Sequence, residues 1–139
     1  MRDRLEERIE LWLADPDSSV EYAEEVEGEW AVRMRQEARD ATTVWFSVGE
    51  RSLRFEAYVL PEPPAPAEVH RQALVRNMAA WRCFYAVDGE GALVIRGRVA
   101  AERVTLVELD RVLGEIYEMV EVGFRAMVGA GWPEREKSG

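Results

Sequence analysis

The stretch FYAVDGEGALVIRGR, residues 84–98, decides the fold, because its glycines belong either to a phosphate-binding loop or to a tight turn between strands. A dinucleotide-binding loop has the pattern G-x-G-x-x-G between a strand and a helix, so that the helix N-terminus meets the phosphate. Here Gly89 and Gly91 are followed by a second segment with strand periodicity, and Gly97 stands at the wrong spacing. Asp88-Gly89 between alternating apolar residues instead predicts a β-hairpin, since glycine tolerates the positive φ that such turns require.

Outward from this hairpin, apolar residues alternate with polar ones in three earlier segments, which is the pattern of half-buried strands in an antiparallel sheet. The sequence GERS at 49–52 is a turn that joins the second and third of these segments into another hairpin. Together with the opening stretch, the alternation predicts five strands, at 29–35, 44–48, 53–59, 83–87 and 92–99.

Helical spacing predicts a first helix from about Arg4 to Ala14 and a second from about Ala67 to Ala80. The prolines of PEPPAP, residues 61–66, prevent further strand pairing and lead into the second helix. Between the first helix and the first predicted strand, the acidic sequence EYAEEVEGE is interpreted as a connection. The apolar positions expected on the inner face of the first helix are Leu5, Ile9, Trp12 and Leu13.

The third helix has the clearest start signal. Thr105 and Glu108 match a capping box, and Val104 with Leu109 can form the hydrophobic staple that accompanies one. One apolar stripe then continues to Met127, and Gly129 and Gly131 are expected to end the helix. The predicted order is α-β-β-β-α-β-β-α, which is the α+β class: an antiparallel sheet with helices packed on it.

Length and composition bound the class of protein. The 139 residues fit one domain, expected at 1–132, followed by a disordered tail at 133–139. The formal net charge of −9 argues against nucleic acid as a partner, because phosphate binding needs concentrated Lys and Arg. No apolar run approaches the roughly 20 residues that span a bilayer, and the charged N-terminal sequence does not match a signal peptide. With Cys83 as the one cysteine, a cytoplasmic location is expected.

The side chains that catalysis and metal binding require are sparse. Nucleophilic catalysis needs Ser or Cys beside a histidine that an acid orients, and His70 is the one histidine. Cys83 lies in strand periodicity, where a buried and inert thiol is expected. The sequence therefore predicts no catalytic residue, no metal site and no cofactor.

The second helix has a wider apolar face than one packing contact needs. Val69, Ala73, Leu74 and Trp81 lie within an arc of roughly 180°, against the ~100° of a single packed face, and Asn77 falls inside it. In one interpretation, Asn77 and neighbouring polar groups are core residues satisfied by backbone hydrogen bonds. In the other, the extra width is the interface of a homodimer, with Asn77 setting its register.

Trp45 and Tyr58 project from the strand faces opposite the predicted core. Packing against each other across the strands is one interpretation. The other is a protein-binding face, since amphipathic aromatic residues beside Arg33 and Arg54 are typical of interfaces.

Two segments carry a family resemblance: LRFEAYVLPEPPAPAEVHRQALVRNM (53–78) and CFYAVDGEGALVIRGRVAAERVTLVELDRVLGEIYEMV (83–120). Together they resemble the YbjN domain family of putative bacterial sensory transduction regulators. The matching features are the pair Arg76-Asn77, the D-x-x-G hairpin at 88–91 and the T-x-x-E-L-D-R-x-L-G helix at 105–114. The resemblance implies a fold similar to that of type III secretion chaperones, which are small acidic dimers that hold extended segments of partner proteins. It carries no catalytic residues.

These observations predict a non-enzymatic protein-binding module of chaperone-like or regulatory type that acts as a homodimer and captures another protein through an exposed strand or helix. The alternative is a regulatory domain that binds a small-molecule effector in a pocket between the last helix and the sheet.

Overall fold

The structure, a computed structural model, describes residues 1–133. One antiparallel sheet has the strand order β1-β2-β3-β4-β6-β5, and three helices pack on one of its faces. We call the opposite side of the sheet the open face. The elements in chain order are α1 (Arg2–Ala14), β1 (Val20–Val26), β2 (Glu29–Arg35), β3 (Ala41–Val48), β4 (Ser52–Leu60), α2 (Pro66–Asn77), β5 (Cys83–Val87), β6 (Leu93–Ala100) and α3 (Leu106–Gly131).

The predicted α+β class and the order of the five predicted strands and three helices are confirmed, and one strand is added. This strand, β1, lies in the acidic segment that was interpreted as a connection. It pairs with β2 through the two-residue turn Glu27-Gly28, in which both residues have positive φ, 51° and 85°. As an edge strand, β1 exposes most of its side chains to solvent, so its sequence lacks the apolar alternation of a half-buried strand.

The core lies between the helices and the helix-facing side of the sheet. Its aromatic centre is formed by Phe46, whose ring centroid lies 6.5 Å from that of Trp12 and 6.2 Å from that of Phe55. The indole of Trp12 also donates a 2.8 Å hydrogen bond to Asp110 Oδ1, which ties α1 to α3. Leu13, expected on the inner face of α1, is exposed instead.

The hairpin at residues 88–91 is confirmed. Asp88 Oδ1 accepts hydrogen bonds from the backbone N–H groups of Glu90 and Ala92, at 2.9 and 3.0 Å. The glycine with positive φ is Gly91, at 84°, and not Gly89 as expected from the Asp-Gly pair. The opening glycines therefore make a turn between β5 and β6.

The predicted start of α3 is also confirmed in part. Thr105 Oγ1 accepts from the backbone N–H of Glu108 at 3.0 Å. The Glu108 carboxylate does not complete the capping box but accepts a 2.7 Å hydrogen bond from Arg82 Nε. The helix ends at Gly131. The tail predicted at 133–139 lies, apart from Pro133, outside the described residues.

Helix α2 packs against α3 and β5. Two glycines of α3 allow the close approach: a Cβ on Gly123 would lie 2.9 Å from Arg76 Nε, and one on Gly131 would lie 3.0 Å from Val69 Cγ2. The helix ends at Asn77, three residues before the predicted end at Ala80.

Candidate functional site

The predicted interface residues do not form one surface. Val69 and Ala73 are buried on the inner side of α2 and belong to the core of this chain, so assigning them to an interface was wrong. Their burial follows from the packing of α2 against α3. Trp45 and Tyr58 lie on the open face, on the other side of the sheet from α2. Leu74 and Trp81 remain exposed.

These two exposed residues belong to an apolar surface around the C-terminal end of α2. Leu74 and Val75 lie about one turn before Met78 on the outward side of α2, where Met78 caps the helix. Val122 of α3 lines a groove beside this end of α2. We call these residues the α2 surface; their exposed fractions are 68% for Leu74, 54% for Val75, 88% for Met78, 89% for Trp81 and 64% for Val122.

The groove has a volume of about 200 Å³ and lies between the end of α2 and the outer side of α3. Its apolar lining comes from Ala79, Ala80, Met119 and Val122, and its charged lining from Arg76, Glu115 and Glu118. The groove adjoins the end of α2, where Met78 and Trp81 are exposed, and Val122 is the one residue of the α2 surface that lines it.

The turn that carries Trp81 is fixed by a single carboxylate of α3. Glu115 accepts hydrogen bonds from three successive backbone N–H groups, those of Trp81 and Arg82 at 2.7 Å each and that of Cys83 at 3.1 Å. Charge-assisted hydrogen bonds of this kind are among the stronger ones in proteins. The backbone of Trp81 is therefore held in place while its side chain projects into solvent.

Asn77 occupies the outer edge of β5. Its Oδ1 accepts from the backbone N–H of Tyr85 at 2.6 Å, and its Nδ2 donates to the carbonyl of Tyr85 at 3.1 Å. Of the two interpretations of Asn77, the structure supports backbone satisfaction and not interface register. Together with the hydrogen bond that the Cys83 N–H donates to Glu115, this contact occupies outward backbone groups of Cys83 and Tyr85 that a partner strand would need at β5.

The open face carries Trp45 and Tyr58 in a different setting. Trp45 is directly opposite Glu56 in the pairing of β3 with β4, so Tyr58 is its diagonal neighbour. They are 39% and 49% exposed, and both line a shallow groove of about 430 Å³ together with Arg54 and Arg96. The predicted projection opposite the core is confirmed for both residues. Tyr58 follows Arg54 and Glu56 on the open side of β4, whereas β3 carries no charged residue.

Two further reactive groups, Cys83 and Tyr85, are shielded from solvent. Cys83 is buried, and its Sγ donates to Glu115 Oε2 at 3.2 Å. Burial and the neighbouring carboxylate raise the pKa of this thiol far above its ordinary value. Burial also raises the pKa of Tyr85 to about 12, and the hydroxyl of Tyr85 donates to the carbonyl of Met119 at 2.9 Å. Within residues 1–133, no three His, Cys, Asp or Glu side chains are placed to hold a metal ion.

The space between α3 and the sheet, where an effector pocket was predicted, is filled. Leu109, Ile116 and Val120 of α3 are completely buried there. Ile95 of β6 and Ala57 of β4 are completely buried on the facing side of the sheet. These side chains pack where the effector pocket was expected, and the effector-binding alternative stays a prediction. Among residues 1–133, none of the helices is long and apolar enough to cross a membrane.

No protein-family model matches the chain. An uncharacterized protein of Mycobacterium tuberculosis is 38% identical over 87 residues, which are 62% of this chain and 48% of that protein. An uncharacterized protein of Mycobacterium bovis gives the same values. One of Mycobacterium leprae is 34% identical over 102 residues, 73% of this chain and 55% of that protein. The chain thus spans about half the length of the curated relatives it matches.

Proposed function

We propose that this domain is a non-enzymatic protein-binding module that acts as a homodimer through the α2 surface. The observation that carries the proposal is the exposure of Met78 and Trp81, each nearly nine-tenths accessible, together with the hydrogen bond from the backbone of Trp81 to Glu115 that holds the turn in place. An exposed aromatic side chain on a fixed backbone loses little conformational entropy when a partner covers it.

The size of the α2 surface supports a second copy as its partner. A fully exposed large apolar side chain offers roughly 150–250 Å², so the exposed fractions of the five residues amount to on the order of 700 Å². Monomeric proteins seldom expose a contiguous apolar patch above about 600 Å². A standard interface buries about 800 Å² on each partner. Two α2 surfaces related by a two-fold axis would bury an area close to this value without any other protein.

The sheet edges favour contact through the helices over strand addition. At β5, Asn77 and Glu115 already occupy outward backbone groups. At β1, the exposed side chains include Glu21, Glu24 and Glu25, and charged residues on an edge strand oppose pairing with another strand.

The absence of an enzymatic role is part of the proposal. What supports it is the state of the one cysteine, since a buried thiol with a raised pKa is a poor nucleophile. The proposed regulatory or chaperone-like type, and membership of the YbjN domain family, have the support of the residues at 76–77, 88–91 and 105–114 and of the observed α+β order.

The proposal is tested by sedimentation velocity of the wild-type chain and of Leu74→Glu over a range of concentrations. A carboxylate at the centre of an apolar interface must be desolvated without a partner, so we expect the variant to remain monomeric where the wild type is a dimer. Leu13→Glu is the matched control, because Leu13 is a similarly exposed leucine on α1 outside the α2 surface. A wild type that stays monomeric, or a Leu74→Glu variant as dimeric as the control, would show that the proposal is wrong.

A further inference from the structure

A second surface, at the end of the sheet next to Trp81, is strongly basic. A cleft of about 520 Å³ lies between the start of β4, the end of β6, the 3-10 turn Ala101–Arg103 and the start of α3. We call it the arginine cleft. Its charged lining residues are Arg51, Arg82, Arg98, Arg103 and Glu108.

The positive charge of the arginine cleft is not balanced locally. Its one lining carboxylate, Glu108, accepts from Arg82 at 2.7 Å, so these two charges offset each other. The other three guanidinium groups have no carboxylate within 4.0 Å among the described residues. Arg98 is also directly opposite Arg54 in the pairing of β4 with β6, and like charges in that position repel. Three unbalanced positive charges thus converge on one cleft of a chain whose net charge is −9.

In the arginine cleft, the donors available to an anionic ligand are arginine side chains, because the backbone N–H groups nearby already have acceptors. The N–H of Ala101 donates to the carbonyl of Arg51 at 2.9 Å, and the N–H of Val104 donates to the carbonyl of Ala101 at 3.2 Å. The N–H groups of Trp81 and Arg82 donate to Glu115. A compact phosphate site is built from free backbone N–H groups as in a nest or at a helix N-terminus. Long arginines spread along an open cleft instead match carboxylates that are spaced along a chain.

We infer that the arginine cleft binds an acidic segment of another protein, in which several Asp or Glu side chains follow one another in an extended chain. Charge complementarity carries this choice of partner: the segment supplies the carboxylates that this end of the sheet lacks. Trp81 lines the cleft, and interfaces concentrate their binding energy in Trp, Tyr and Arg. The cleft shares Trp81 with the α2 surface, but Leu74, Val75 and Met78 do not line it, so the inference depends on the arginines and not on the homodimer.

The test uses a fluorescein-labelled octaglutamate peptide as the probe, with binding followed by fluorescence anisotropy at low salt. The negative charge of the whole chain repels this peptide, so binding requires a local positive site. We expect saturable binding that weakens several-fold when salt screens the interaction. Arg98→Gln and Arg103→Gln should each weaken binding about tenfold, whereas Arg4→Gln, an exposed arginine on α1 with the same change in charge, should have little effect.

Three results would overturn the inference. The first is absence of binding by the wild-type chain at millimolar peptide. The second is equal weakening by Arg4→Gln, which would mean that only overall charge matters. The third is that pyrophosphate binds as tightly as the peptide and that its binding is weakened by the same arginine substitutions, which would identify a small-anion site. Leu74→Glu should bind the peptide like the wild type, so the failure of the homodimer proposal and the failure of this inference can be told apart.

Discussion

The α2 surface and the open face of the sheet both expose aromatic side chains, but they differ in how those side chains are surrounded. On the open face, Trp45 and Tyr58 are about half exposed and lie beside the charged residues Arg54 and Glu56 of β4. On the α2 surface, Met78 and Trp81 are almost fully exposed at the end of α2, and Glu115 holds the backbone of Trp81. Single half-covered aromatics are ordinary on a solvated sheet. Several large apolar side chains that are more than half exposed at one end of a helix call for a partner.

The largest effect is expected from removing the group that makes the α2 surface rigid. Glu115→Ala leaves three backbone N–H groups without their acceptor, and we expect a loss of about 3 kcal/mol in the free energy of unfolding. For a domain of this size, that corresponds to a fall of about 10 °C in Tm. Glu115→Gln keeps one acceptor oxygen and should lose less. The Tm values are measured by calorimetry. If Glu115→Ala had the same Tm as the wild type, the turn would not be held by this carboxylate.

The contrast between the two surfaces is tested most simply by two matched substitutions. Trp81→Ser should raise the dimer dissociation constant by roughly 30-fold, about 2 kcal/mol, because buried tryptophans are typical hot spots. Trp45→Ser should leave the dissociation constant unchanged. Both constants can be measured by sedimentation equilibrium. If Trp45→Ser weakened the dimer and Trp81→Ser did not, the interface would lie on the open face and not on the α2 surface.

A smaller effect is expected from the titration of Cys83, beneath the same turn. Its pKa is raised in the folded chain, so the neutral thiol stabilises the fold below the ordinary thiol pKa of about 8.5, and this contribution is lost as the pH rises above that value. Between pH 9 and pH 10, urea unfolding should show the wild type losing up to about 1.4 kcal/mol more than Cys83→Ala. Parallel pH profiles for the two chains would show that the thiol is not shielded.

Most of the fold could be predicted from the sequence, because half-buried strands and amphipathic helices leave a regular apolar pattern. The bounds of β5 were predicted exactly as observed, and the Thr105 cap was found from its spacing to Glu108. The strand β1 could not be found from alternation, since an edge strand exposes both faces to water over most of its length. Its available signal was the Glu27-Gly28 turn, which has the two-residue length of a tight hairpin.

The candidate site could be predicted only in part. Leu74 and Trp81 were identified by the excess width of the apolar arc, but that arc also included the core residues Val69 and Ala73. A helical wheel cannot separate the core-facing side of α2 from its exposed side, because the apolar spacing continues beyond Asn77, where the helix ends. The roles of Asn77 and Glu115 depend on hydrogen bonds to β5 and to the turn before it. The arginine cleft depends on the pairing of β4 with β6. Contacts between residues distant in the chain leave no local pattern in the sequence, so these features could not be predicted from it.

The claim on which the rest depends is that Met78 and Trp81 of one copy meet the same region of another. Isotope-filtered NOE spectra of a mixture of methyl-labelled and unlabelled chains report such contacts directly. We expect intermolecular NOEs from the Met78 methyl group to aromatic and methyl protons of the second copy. A dimer in which the Met78 methyl group shows no intermolecular NOE, while methyl groups elsewhere do, would contradict the assignment of the α2 surface as the interface.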